Sequence, residues 1–356
     1  SKQAEVAVHR ARFSTQMGER GQAVSAAQAA VCLAQDAQDI GLEAMAYREW
    51  GRALVSQKKH EAARPRLEQA LALARDAELR PVEAEILHAL GAVLHNLSDD
   101  QRGLECYEHA LRICRQIGDR RREAEALHAV GWVLLLRVNW TESEAYLRES
   151  LNVSRETGNR RDEAWAILSL GLISYHRGHY AQSWDDHNQS LRIFREVHDW
   201  VYTTEALWGL GFLSIVLVNY AAARDYLERC LRLCHEINRP LGEGWALVAL
   251  GLVFHLQGDY DSARTTYEQA LDIGRQIDDW QVEAQALMYT GLLSHHLGDD
   301  RAARSYGQQA LRVMPDLDLS YAVDLIYVHA VLGHALLGLG CTAEAAENYR
   351  QCLTMR

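Results

Sequence analysis

No stretch of the 356 residues approaches the eighteen consecutive apolar positions of a membrane span, so a membrane partner is not expected. Nor does the N-terminal stretch show the basic-then-apolar pattern of an export signal. Positive charge is in short supply: 37 Lys and Arg stand against 48 Asp and Glu, a formal charge of -11. A phosphate-binding surface needs the opposite balance, which excludes nucleic acid as an expected partner. The one basic cluster, Arg120-Arg121-Arg122, runs straight into Glu123 and Glu125 and reads as a solvated helix start. The seven cysteines form an odd set with no C-x-x-C pair, which is not a disulfide framework. Cys230 falls where Ala110, Ala270 and Ala310 recur, the place of a small buried hydrophobe. Free thiols suit a reducing compartment, and a cytoplasmic location is expected.

Catalytic signatures are equally scarce. G-x-x-x-x-G-K-[ST], H-E-x-x-H and G-x-S-x-G do not occur. Gly338-x-Gly340-x-x-Ala343 has the letters of a dinucleotide fingerprint but lies between two helical stretches with no strand before it. His295-His296 with Asp299-Asp300 straddle a turn where the aspartates are expected helix caps. Cys230 and Cys234 stand one helical turn apart without further ligands in the nearby sequence. No cofactor, metal or catalytic residue is expected, and the chain does not read as an enzyme.

What the chain does have is a period. Gly51, Gly91, Gly131, Gly171, Gly211, Gly251 and Gly291 lie forty residues apart. With glycine at about 7% of ordinary sequence, six such coincidences would arise about once in ten million. Whole blocks recur with the glycine, as in Leu207-Trp208-Gly209-Leu210-Gly211 and Leu247-Val248-Ala249-Leu250-Gly251, each followed by a second block such as Tyr267-Glu268-Gln269-Ala270-Leu271. A fixed period of this size means small units that bury their cores against one another.

Each unit reads as two helices. Around Gly131, apolar residues recur at three- and four-residue steps from a cap at Asp119 to about Arg137. Asn139 stands where Asp99, Asn219, Asp259 and Asp299 stand in sister units, as the cap of a second helix that stops near Gly158. Gly118 is the corresponding stop one unit earlier. Small residues mark the helix contacts: Ala126, Ala166, Ala206, Ala246 and Ala286 on the first helix, Ala223, Ala263 and Ala303 on the second. Of the four prolines, Pro81 and Pro240 fall in a first helical turn, Pro65 sits deeper in a helix, and Pro315 marks a break before the last unit.

The pattern Leu90, Gly91, Tyr107, Ala110, repeated by Leu250, Gly251, Ala263, Tyr267 and Ala270, resembles the tetratricopeptide repeat over essentially the whole chain. The period departs from that family's thirty-four residues by six, which adds about 9 Å of helix at 1.5 Å per residue. Forty-residue versions resemble those of Pins-type adaptors and of the sensor arms of bacterial STAND-class signalling ATPases. The expected fold is a right-handed all-α solenoid of about nine helix-turn-helix repeats in one domain, 1–356. The repeats run roughly 2–39, 42–79, 82–119, 122–159, 162–199, 202–239, 242–279, 282–316 and 319–356. Neither end carries a polar cap, so part of a longer protein is expected.

The resemblance implies that the first helix of each pair lines a concave face. Positions six and three before the glycine, and one and four after it, then form the inner wall. They place Trp132, Trp165, Trp208, Phe212, Trp245 and Tyr175 there, with His88, His128, Glu125 and Glu205 as polar groups between them. At about 10 Å per helix the rings of four repeats would span roughly 30 Å. Two accounts of these rings are open, a self-packed interior and a ligand surface, and the second is carried forward. The expected function is a non-catalytic arm that senses a peptide, protein or small molecule in its groove, with an ATPase or effector domain outside this chain. A constitutive adaptor that holds peptide segments of partner proteins is the alternative.

Overall fold

The computed structural model describes residues 2–16, 20–314 and 322–354, which form helices and turns with no strand among the described residues. Pro315 and the break before the last repeat lie outside them. Among the described residues eighteen helices follow one another as nine pairs, and the fold is an all-α solenoid. Two compact units divide the chain, residues 1–166 and 167–356, with the cut inside α9 (Arg160–His176). The first unit holds α1 (Lys2–Gln16), α2 (Arg20–Asp36), α3 (Ile40–Ser56), α4 (His60–Asp76), α5 (Arg80–Asn96), α6 (Asp100–Ile117), α7 (Arg120–Leu136) and α8 (Trp140–Thr157). In the second lie α10 (Tyr180–Glu196), α11 (Trp200–Val216), α12 (Tyr220–Glu236), α13 (Pro240–Leu256), α14 (Tyr260–Gln276), α15 (Trp280–His296), α16 (Asp300–Val313), α17 (Ala322–Gly338) and α18 (Thr342–Thr354).

The recurrent glycine is explained by what faces it. Sixteen residues on, the second helix of the pair points a large side chain at it: Leu67 at Gly51, Tyr107 at Gly91, Leu147 at Gly131, Leu227 at Gly211 and Tyr267 at Gly251. A Cβ at any of these glycines would stand 2.5–2.8 Å from that side chain, too close for an ordinary contact. Gly291 departs from this pattern: the residue sixteen on is Gly307, which Leu332 faces, and the nearest atom to a Cβ at Gly291 would be that of Val331, at 3.2 Å. The alanines at 126, 166, 206, 246 and 286 are buried as well, so each pair closes with small residues against large ones.

Local chemistry sets the joints. Asp99, Asp119, Asp199, Asn219, Asp259, Asp279 and Asp299 each accept a hydrogen bond from the amide three residues on. Asn139 departs from the expectation: its side chain makes no cap bond, and its amide donates to Glu142 at 2.7 Å. Gly118 and Gly158 end their helices in the left-handed conformation, with φ of 73° and 69°. The same conformation recurs at joints where the residue is not glycine, including Val138 (φ 60°) and Val218 (φ 59°). Pro81 and Pro240 begin helices, whereas Pro65 lies inside α4 and leaves the carbonyl four residues before it without its helical donor.

A ladder of buried glutamates, not foreseen in the sequence, ties successive pairs together. Glu83 accepts from Arg75 and Arg80 at 2.9 Å each, Glu123 from Arg115 (3.1 Å) and Arg120 (2.6 Å), and Glu163 from Arg155 at 3.0 Å. Glu283 pairs with Arg275 in the second unit at 3.0 Å. These glutamates recur at multiples of the forty-residue spacing, and the bonds from Arg75, Arg115, Arg155 and Arg275 join the end of one repeat to the start of the next.

Candidate functional site

The first helix of each pair carries the candidate site, and each unit has its own group of rings. In the first unit, His128 stacks on Trp132 with ring centroids 6.5 Å apart and lies 5.7 Å from Trp165. The guanidinium of Arg161 sits over the Trp165 ring at 4.9 Å. His88 meets the edge of Tyr107 at 5.2 Å. In the second unit, Trp208 stacks on Phe212 at 5.4 Å and meets Trp245 edge-on at 6.4 Å, while Tyr175 packs against Phe212 at 6.0 Å. Apart from the buried Tyr107, these rings are half-buried. They pack on one another and still keep surface open to solvent.

A repeating hydrogen bond fixes their tilt. Trp208 donates its indole N–H to the backbone carbonyl of Trp245 at 3.3 Å. His88 bonds in the same way to the backbone of Glu125, and His128 to that of Trp165. The two partners are thirty-seven residues apart in these three cases, where the residue three before one glycine reaches the residue six before the next. One side of each ring system is thereby committed to the scaffold, and the other is left on the wall.

The charged groups divide into spent and unspent. Glu85 is held by Arg48 and Arg122, and Glu205 by Arg239, so neither carboxylate is free for a ligand. Glu125 pairs with the exposed Arg121 at 3.7 Å. Forty residues after Arg122, which holds Glu85, stands Asp162, an acid in place of a guanidinium, whose carboxylate accepts from the Asn159 side chain at 2.5 Å. Burial first, and the charge of Glu125 second, push the Asp162 carboxyl up to about 6. Glu125 is likewise raised, chiefly by burial. Burial brings His88 and His128 down to about 4, helped by Arg52 at the first and by His88 at the second. Both imidazoles are neutral at physiological pH.

The ten residues singled out by sequence therefore fall into two groups: His88, Glu125, His128, Trp132 and Trp165 in the first unit, and Tyr175, Glu205, Trp208, Phe212 and Trp245 in the second. Asp162 escaped the sequence reading; its signal was the exchange of Arg122 for an acid forty residues on. Among the described residues no group of three or more His, Cys, Asp or Glu is placed to hold a metal ion. His295 instead bonds to Asp300 at 2.6 Å, while Asp299 caps α16 as expected.

Known proteins match this geometry in fold. The chain is similar to a Rap protein solved in complex with Competence and Sporulation Factor, with a TM-score of 0.72 and 15% identity over 99% of this chain and 97% of that one. It is similar to NprR in complex with its cognate peptide NprX, with a TM-score of 0.67 and 13% identity over 99% of each chain. A STAND protein with a tetratricopeptide repeat sensor from Pyrococcus horikoshii aligns at 11% identity and a TM-score of 0.58, over 93% of this chain but 52% of that one. No curated protein matches the sequence. The profile of anaphase-promoting complex subunit 5 matches residues 3–50 and 128–214. That of the tetratricopeptide repeat matches residues 82–156, 202–276 and 242–316, more than half of the chain. With its helix pairs, recurrent glycines and paired knobs, this chain belongs to the tetratricopeptide repeat family.

Proposed function

We propose that the chain is a non-catalytic binding domain that takes an extended peptide segment of a partner along the inner faces of its first helices. The observation that carries this reading is the group Tyr175, Trp208, Phe212 and Trp245. Four aromatic side chains from three consecutive repeats share one face, fixed by a backbone hydrogen bond and only half covered. Half-covered rings held rigid in this way offer apolar area at little entropic cost on binding.

A small molecule fits less well. The hollow lined by Trp280, Ala284, Met288, Met314 and Val328 encloses essentially no volume, against the roughly 300 Å³ at which ligand pockets begin. Charge favours a basic peptide, because the half-buried carboxylate of Glu125 has an acid, Asp162, at the register where Arg122 holds Glu85. The likeness to NprR in complex with a cognate peptide, over nearly the whole of both chains, supports the same class of ligand. A sensor arm joined to an ATPase is the second reading, favoured by the likeness to the sensor-bearing STAND protein.

Selection from a random peptide library on the purified chain is the test. Peptides rich in apolar and basic residues should emerge with dissociation constants of micromolar order or tighter, about −8 kcal/mol. If no peptide is enriched over a blank support, the peptide reading fails. The same peptides binding a chain that also carries an ATPase domain, and changing its turnover, would favour the second reading over the first.

A further inference from the structure

Away from the groove, the core of the second unit contains a polar cluster that peptide binding does not use. Cys230 and Cys234 lie one turn apart on α12, both fully buried, with their sulfurs 4.0 Å apart. The Cys230 thiol donates to the carbonyl oxygen of Thr204 on α11 at 3.3 Å. Arg239, the residue before α13, reaches into the same place, where it pairs with Glu205 and donates to Thr204 Oγ1. Gly242 makes room for this: a Cβ there would stand 2.7 Å from the Cys234 sulfur and 3.0 Å from Arg239 Nη1.

Cys114 occupies the register of Cys234 three repeats earlier, with Ala110 in place of the second thiol. Paired thiols beside a guanidinium are thus a local feature of this repeat.

We propose that Cys230 and Cys234 form a two-coordinate thiolate site for monovalent copper. Geometry decides between this and the other uses of two thiols. A disulfide needs an S–S distance of about 2.05 Å, so the sulfurs would have to close by about 2 Å within one rigid helix. Two metal–thiolate bonds of about 2.3 Å span at most about 4.6 Å, so a metal needs the sulfurs to part by a few tenths of an ångström. Zinc takes four ligands, and no third His, Cys, Asp or Glu is placed beside the pair among the described residues. Soft monovalent copper is the ion suited to sulfur ligands. Binding releases both thiol protons and transfers no electron. The site passes from neutral to one net negative charge, against which the Arg239 guanidinium stands. Entry needs a local opening of the α12–α13 contact, of the kind helix pairs undergo without global unfolding.

The test is an anaerobic titration of the full chain, under reducing conditions, with Cu(I) held by a chromophoric chelator. The wild-type chain should withdraw one equivalent of copper more than Cys230→Ala and Cys234→Ala. Alanine already stands at the Cys230 register in other repeats, so the first variant is expected to keep its helical circular dichroism even if the second does not. X-ray absorption at the copper edge should then show two sulfur neighbours in the wild type. Equal uptake by the wild type and Cys230→Ala overturns the proposal. So does a loss of two hydrogens by mass on mild oxidation, as a Cys230–Cys234 disulfide, in a chain that withdraws no copper.

Discussion

Acidification below pH 6.5 should destabilise this chain in a way that can be assigned to named residues. Burial lowers His88, His128 and His255 from an ordinary value of 6.5 to about 4, with Arg52, His88 and His296 respectively adding like charge. An unfolded chain protonates these rings near pH 6.5, and the folded chain only near pH 4. Between those limits the unfolded state binds more protons, so stability falls as pH falls, by about 1.4 kcal/mol per pH unit for each ring. Asp162 works in the opposite direction. Its carboxyl rises from 3.8 to about 6, so in the window from 6 to 3.8 the folded state holds a proton that the unfolded state has released. From pH 6 to pH 5 these four groups sum to two protons taken up on unfolding, roughly 3 kcal/mol. The first unit accounts for one of them and the second, through His255, for the other. Urea titrations followed by circular dichroism at pH 7, 6 and 5 measure the effect. His128→Gln should flatten the pH dependence by one proton, because glutamine keeps a donor for the Trp165 backbone without titrating. A denaturation midpoint that stays level or rises between pH 6.5 and pH 5 would refute the burial of these rings as neutral groups.

Three further substitutions test the packing and the joints. Gly251→Ala should lower stability by about 1–2 kcal/mol in a urea titration despite alanine's better helix propensity, because overpacking costs about 1–3 kcal/mol and its Cβ would stand 2.5 Å from the buried Tyr267 ring. The same change at Gly21, where nothing lies within 4 Å, should stabilise by up to about 1 kcal/mol. Val218→Gly should raise the melting temperature slightly. The valine is β-branched, 67% exposed and held at φ 59°, a conformation costing about 1–2 kcal/mol that outweighs the entropy glycine adds to the unfolded chain.

Much of this architecture was legible because helical repeats repeat their chemistry. The glycine period located the first helix of each pair, the aspartates located the second, and counting from the glycine put Trp208, Phe212 and Trp245 on one face. The same count from the glycine, taken from the resemblance, put Tyr175 where it packs on Phe212. Contacts between repeats were less accessible. The thirty-seven-residue bonds from His88, His128 and Trp208 depend on how one pair docks on the next, which no single helix encodes. Glu205 was expected to meet a ligand, yet it is held by Arg239, thirty-four residues away, from the start of the next repeat. The left-handed joints were missed where residues such as Val138 replace glycine, since tertiary packing there overrides the local preference.

The central claim is that the half-covered rings of the second unit hold a peptide. The most direct test is the affinity of one selected peptide for Trp208→Ala, with Trp140→Ala as the comparison. Trp208 sits amid Phe212 and Trp245, whereas Trp140 begins α8 on the other helix of its pair. Truncating a central aromatic costs about 2 kcal/mol or more in binding, a loss of roughly thirtyfold. Circular dichroism must first show that both variants keep their helices. The account predicts that folded Trp208→Ala loses at least that much affinity while Trp140→Ala binds as the wild type does. Wild-type affinity in a folded Trp208→Ala chain would contradict it.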